Sequence, residues 1–187
     1  MERVVQIINS IKANEGVFMT FLKQQSYHFV DKEHLNILWG NPESKITITV
    51  LTNPHCEPCR RMHKRIEKLL DKSGNKFCIQ YIFTSFSEEL ESSSRFLIDI
   101  YRRYPVEKAM KIYGEWFDGG KYQKEMIFKK YDFEPDKQAP EYSRHKKWQE
   151  EQKLTVTPIV LINGYELPDH YKLEDMNYFT DLEVDSK

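Results

Sequence analysis

Apolar residues recur with a helical period over residues 3–25, at Val4, Ile7, Ile8 and Ile11 and again at Val17, Phe18, Phe21 and Leu22. This predicts a helical start with an interruption at Gly16. Residues 26–44 carry no clear period and end in the turn signal Trp39-Gly40-Asn41-Pro42. The pattern then changes. Ile46-Thr47-Ile48-Thr49-Val50-Leu51 is β-branched and compact, as a buried strand is. From Cys59 onward, Met62, Ile66, Leu69 and Leu70 mark one face of an amphipathic helix, with Arg61, Lys64, Arg65 and Lys68 between them. Ser73-Gly74-Asn75 ends it. A second strand reads from Phe77 to Phe83. Strand, helix and strand in that order imply parallel pairing by a right-handed crossover.

Helical patterns occupy residues 86–153. Leu90, Ser94, Leu97 and Tyr101 share one face. Val106, Ala109, Met110, Tyr113, Trp116 and Phe117 form another stripe, which Gly119-Gly120 breaks. A short helix is expected over 121–131, a loop between Pro135 and Pro140, and a last helix from Tyr142 to Lys153. Strand patterns then resume at Thr157-Pro158-Ile159-Val160-Leu161-Ile162. Asn163-Gly164 follows, a strong two-residue hairpin signal, with Tyr165-Glu166-Leu167 as the return strand. Leu173, Met176, Tyr178, Phe179 and Leu182 suit a closing helix. The helical region 86–153 therefore reads as an insertion within one α/β domain. Its Tyr, Phe and Trp residues are expected to form its core.

Composition adds limits. The chain has 187 residues, 40% of them hydrophobic, and a formal net charge of -1. That balance offers no electrostatic case for nucleic acid as a partner. Lys129-Lys130 and Arg144-His145-Lys146-Lys147 read as solvated helix faces. No apolar run is long enough to span a bilayer. Met1–Asn9 lacks the features of a signal peptide, so an export signal or membrane segment is expected only in a longer parent chain. Three cysteines do not make a disulfide scaffold.

The chemistry concentrates in Asn53-Pro54-His55-Cys56-Glu57-Pro58-Cys59. Two cysteines two residues apart at a helix start can form a reversible disulfide. A free cysteine, with a pKa of about 8.5, is mostly protonated near neutrality. A helix N-terminus favours the thiolate, so Cys56 is the candidate nucleophile. Cys59, one turn further in, is the candidate resolving thiol. Pro58 suits the first helical turn. His55, Arg60, Arg61 and His63 would favour a thiolate if near it, and Glu57 would oppose it. A zinc site is the competing reading, with Cys78 and His55 or His63 as further ligands. No second Cys-x-x-Cys exists, and neither a metal nor another cofactor is expected. Pro158 alone could simply cap a strand.

Taken together, these residues resemble the thioredoxin superfamily. The resemblance covers the strand before Cys56, the motif helix, the strand through Cys78 and residues 156–184. It implies a thioredoxin-like fold: a central mixed sheet flanked by helices, with a helical insertion between the two halves. Residues 1–40 would be an N-terminal helical extension and 41–187 the domain itself, with the insertion at about 86–153. In that family a cis-proline faces the redox pair, and the residue before it pairs with the substrate backbone. Those positions are Pro158 and Thr157. The insertion looks like that of the DsbA-like branch. Gly40-Asn41-Pro42, the cysteine motif and residues 157–168 look like domains fused to bacterial vitamin K epoxide reductase homologues. The resemblance thus implies a protein disulfide oxidoreductase outside the cytoplasm, in the periplasm and membrane-tethered in its full-length form. It would act on cysteine-containing protein substrates and pass electrons to a membrane quinone reductase. A reductase, an isomerase and a non-catalytic peptide-binding module are the alternatives. Two departures matter. The buried acid that thioredoxin carries six positions before its nucleophile falls on Val50 here, and the residues between the cysteines are Glu-Pro.

Overall fold

A computed structural model describes residues 1–136 and 139–184. Two helices open the chain, α1 (Glu2–Lys12) and α2 (Glu15–Lys23). The break falls at Ala13–Asn14, not at the expected Gly16. The Asn14 side chain accepts from Val17 N at 3.0 Å and caps α2, a stronger local signal than a glycine tolerated inside the helix. Phe18 and Leu22 of α2 are fully buried in the main core. None of α1 is buried, and Val4, Val5, Ile7, Ile8 and Ile11 stay open to solvent.

The sheet follows. Strand β1 (Leu38–Gly40) lies in the segment expected to be irregular; three residues are too few to show alternation. Next come β2 (Thr47–Thr52), α3 (Glu57–Ser73) and β3 (Cys78–Phe83). The insertion holds α4 (Glu91–Arg103), α5 (Val106–Phe117), a 3₁₀ turn at Gly120–Gln123, α6 (Lys124–Lys130) and α7 (Pro140–Glu151). Residues 137–138, in the loop expected between Pro135 and Pro140, lie outside the described residues. Strands β4 (Ile159–Ile162) and β5 (Tyr165–Glu166) close the sheet, so β4 starts one residue after Pro158. The final helix is a 3₁₀ segment, Leu173–Tyr178, rather than an α-helix. Leu173, Met176, Phe179 and Leu182 are buried there, and Tyr178 is exposed.

The strand order is β1-β3-β2-β4-β5. Strands β2 and β3 are parallel, and the other pairs are antiparallel. This is the expected mixed sheet with flanking helices and a helical insertion. The hairpin turn places Asn163 at φ 45° and Gly164 at φ 91°, the left-handed conformations that a two-residue turn needs. Alternation along the strands sorts the core into two layers. Ile48, Val50, Ile79, Tyr81, Val160 and Ile162 join the large cluster with α2 to α6. Leu51, Ile82 and Leu161 face the other way, toward Trp148 of α7. Phe96, Tyr113, Trp116, Phe117, Phe128 and Phe133 are buried as expected, whereas Tyr122 is exposed.

Arg144 and Lys147 of α7 are exposed as expected, but His145 is not. His145 is 1% exposed, and its Nδ1 accepts from Phe83 N at 2.9 Å. Burial, then the Arg102 and Arg144 charges, push its pKa down to about 3. A neutral imidazole thus joins the insertion to the end of β3.

Candidate functional site

Strand β2 delivers the cysteine motif to the C-terminal end of the parallel pair. Asn53 shapes the turn: its Oδ1 accepts from His55 N at 3.0 Å, and its carbonyl accepts from Cys56 N at 3.1 Å. The insertion holds the same turn from outside. Trp116 Nε1 donates to the Pro54 carbonyl at 3.0 Å.

Cys56 is the N-cap of α3, with extended backbone, and Pro58 lies in the first turn. The Cys56 sulfur accepts from Cys59 N at 3.3 Å, so it uses one of the donors a helix start leaves unpaired. Both cysteines are free thiols; Cys56 is half-buried and Cys59 buried. Cys59 Sγ accepts from Asn53 N at 3.4 Å. Burial first, then the hydrogen bond with Cys56, push the Cys59 thiol up to about 11. One thiol is thus presented and the other withheld.

Thr157 and Pro158 stand opposite, although 101 residues separate Thr157 from Cys56. Their peptide bond is cis. The Cys56 thiol donates to the Thr157 carbonyl at 3.6 Å. The structure therefore brings Cys56, Cys59, Thr157 and Pro158 together at one end of the sheet.

The charges differ from expectation. His55 is half-buried, its Nε2 lies 2.7 Å from Ser93 Oγ, and its ring meets Trp116 edge-on at 5.7 Å. Burial, then the charges of Lys124 and Lys121, lower its pKa. It therefore brings no positive charge to the thiol at neutral pH. His63 is buried in the core with Nδ1 2.7 Å from the Tyr81 hydroxyl. Arg60 and Arg61 turn to Glu57, at 2.7 and 3.8 Å. Glu57 gains a third cation, Lys121, at 3.2 Å. Hydrogen bonds from Arg60 and then Lys121 lower the Glu57 pKa. Its charge is thus compensated locally. Lys121 is a buried lysine on the insertion, 64 residues away. No local motif marks it, because its partner is set only by the fold.

The residues weighed as zinc ligands are not assembled. Cys78 pairs with Thr47 at the start of β2, whereas Cys56 follows its end at Thr52. About 16 Å of strand separates those two ends. His55 and His63 face Ser93 and Tyr81 instead. Among the described residues no group of three or more His, Cys, Asp or Glu could hold a metal ion. The other histidines have partners too: His28 faces Glu166 and Gln152 at 2.8 and 3.0 Å, His34 pairs with Asp31, and His170 packs edge-on against Phe21.

The family model described as Thioredoxin matches residues 32–181. The chain belongs to this thioredoxin family. Among curated proteins nothing matches. Solved structures of similar fold include BdbD from Bacillus subtilis in its oxidised form. It shares 8% identity at a TM-score of 0.62, covering 84% of this chain and 96% of that one. A periplasmic thioredoxin-like protein from Salmonella enterica serovar Typhimurium gives 12% and 0.62, with 81% and 96% covered. DsbA from Chlamydia trachomatis gives 15% and 0.58, with 76% and 88% covered. At such identities the likeness establishes the fold. In this thioredoxin-family chain the insertion reaches the site by three contacts, Trp116–Pro54, Ser93–His55 and Lys121–Glu57.

Proposed function

We propose that this chain is a thiol–disulfide oxidoreductase for cysteine-containing proteins, running as a dithiol oxidase outside the cytoplasm. The observation that carries the reading is the pairing of a presented N-cap thiol, Cys56, with the Thr157 carbonyl at a cis-proline, while Cys59 lies buried one turn behind.

In the oxidised state a Cys56–Cys59 disulfide meets a substrate thiolate. The substrate sulfur bonds to Cys56, the Cys56–Cys59 bond breaks, and Cys59 leaves and takes a proton. A second substrate thiolate then attacks the first substrate sulfur and releases Cys56 as thiolate. Two electrons remain on the pair. A membrane quinone reductase of the vitamin K epoxide reductase type would remove them. The substrate strand would lie along Thr157 and Pro158. The names of the similar structures, DsbA and a periplasmic thioredoxin-like protein, support an extracytoplasmic site of action. No helix among the described residues is long and apolar enough to cross a membrane, so a tether would belong to a longer parent.

The reduction potential of the Cys56–Cys59 couple, equilibrated against glutathione, tests the direction. A value well above the roughly -270 mV of thioredoxin supports oxidation, and a value near it supports a reductase. An insulin-reduction assay tests the chemistry: full activity in Cys56→Ser would sink both directions.

A further inference from the structure

Cys59 must give up a proton to resolve a mixed disulfide and take one back when the pair is reduced. A buried thiol held near 11 does not give its proton up readily at neutral pH. Val50 cannot help. It is a buried aliphatic side chain on β2, and its partner on β3 is Tyr81.

Tyr81 carries a hydroxyl into this apolar layer, 2.7 Å from His63 Nδ1. Both residues are almost fully buried, at 1% and 2% exposure. His63 follows Cys59 by four residues on α3, so the two share a helix face with Cβ atoms about 5–6 Å apart. Glu67 comes four residues later, with Oε1 3.4 Å from His63 Nε2 and a side chain 35% exposed. The stripe Cys59–His63–Glu67 thus runs from the buried thiol to the surface. Helix α5 leaves room for the carboxylate: a Cβ on Gly114 would sit 3.1 Å from Glu67 Oε1. Phe117 stacks on the imidazole at 4.6 Å.

The titratable groups facing the imidazole are Glu67 on α3, Tyr81 on β3 and Tyr113 on α5; Cys59, one turn earlier on α3, acts on the Tyr81 hydroxyl through its charge. Tyr113 is committed elsewhere, its hydroxyl donating to the Leu97 carbonyl at 2.6 Å. Burial, then the Glu67 and Cys59 charges, hold the Tyr81 hydroxyl well above its ordinary range, so it stays a neutral donor. The neighbouring carboxylate assigns the imidazole proton to Nε2, leaving Nδ1 to accept from Tyr81. Most buried side-chain polar atoms in folded proteins have a hydrogen-bond partner. His63 Nε2 is buried without a hydrogen bond and points toward a half-open carboxylate.

We infer that His63, with Tyr81, relays the proton of Cys59, and that Glu67 links the pair to solvent. The inference rests on the redox reading above and makes His63 a positioning residue for that chemistry. During resolution the Cys59 proton passes to the Tyr81–His63 pair as the sulfur attacks Cys56. The Cys56–Cys59 bond forms, the bond from Cys56 to the substrate sulfur breaks, and the substrate leaves as thiolate. The imidazolium, steadied by Glu67, then releases its proton to water. Reduction runs the same steps backward.

The test is stopped-flow reaction of the reduced protein with dithio-bis-nitrobenzoate across a pH series. The first coloured anion reports attack by Cys56, and the second reports displacement by Cys59. The buried Cys78 contributes to neither phase. His63→Gln should leave the first phase unchanged and slow the second about a hundredfold near neutrality. The second-phase rate should then rise more steeply with pH than in the wild type. Tyr81→Phe should behave likewise. Glu67→Gln, a surface change that leaves the core intact, should slow the second phase less and steepen its pH dependence less. A second phase with wild-type rate and pH profile in both His63→Gln and Glu67→Gln overturns the relay. If His63→Gln does not fold, the Glu67→Gln profile decides alone. A wild-type protein that releases one anion only, or a Cys56→Ser variant that keeps the first phase, overturns the redox reading instead.

Discussion

Cys56 and Cys59 lie one helical turn apart and in different media. The outer side is assembled from distant segments: the Thr157 carbonyl, Ser93 under His55, and Lys121 against Glu57. Its charges are paired and partly open to water, where screening weakens them. The inner side comes from one helix stripe and one strand. It holds polar groups, the Cys59 thiol, the Tyr81 phenol and the His63 imidazole, among aliphatic and aromatic walls. A charge formed there interacts several times more strongly than one outside. The two thiols differ because the helix start is open on one side and pressed into the sheet on the other.

The largest effects come from breaking that asymmetry directly. Cys59→Ser should accumulate a covalent complex between Cys56 and a substrate protein, and Cys56→Ser should form none. Intact-mass spectrometry after mixing with a disulfide-containing substrate reads this, and equal yields from both variants would erase the distinction.

The next effect concerns how the insertion is held against the sheet. His145 stays neutral in the fold with its pKa lowered to about 3. In the unfolded chain it takes up a proton near 6.5. Stability attached to it is therefore present above the unfolded value and is lost as pH falls from there toward the folded one. The slope it adds is at most about 1.4 kcal/mol per pH unit. Urea unfolding between pH 7 and pH 4 should show a steeper decline in the wild type than in His145→Gln; parallel declines would contradict this.

Trp116→Phe keeps the aromatic packing and deletes the donor to Pro54. The carbonyl left without its partner should cost about 1–3 kcal/mol, visible as a lower urea midpoint. An unchanged midpoint would show that the turn is held by Asn53 alone.

The smallest effect is on the outer charges. Lys121→Met removes one of the hydrogen bonds that lower the Glu57 pKa. The Glu57 titration, followed by NMR, should move up toward the ordinary glutamate range. The stability this group contributes, lost as pH falls through its folded pKa, should then be lost at a higher pH. A titration that stays in place would assign the whole shift to Arg60.

Much of this was legible from spacing. The β-branched run at 46–51 became β2, the stripe from Cys59 became α3, and Asn163-Gly164 became the hairpin turn, because each signal acts over a few residues. Strand β1 was not, since Leu38-Trp39-Gly40 is an edge strand defined by its partner β3 rather than by its own pattern. Nor were the roles of the charged residues. His55 and His63 resembled cations beside a thiol, but burial makes the first neutral and a tyrosine claims the second.

By itself the sequence determined that two thiols sit at a strand-to-helix turn, that a Thr-Pro pair precedes a hairpin, and that a helical insertion separates them. Propensity, hydrophobic period and cap chemistry are local, so they survive in one dimension. Only the tertiary structure decided that Lys121 meets Glu57, that the Thr157 carbonyl meets Cys56, and that Tyr81 and His63 meet behind Val50. Those outcomes depend on distance and burial between residues far apart in the chain, and it is there that the charge and proton chemistry of the two cysteines is set.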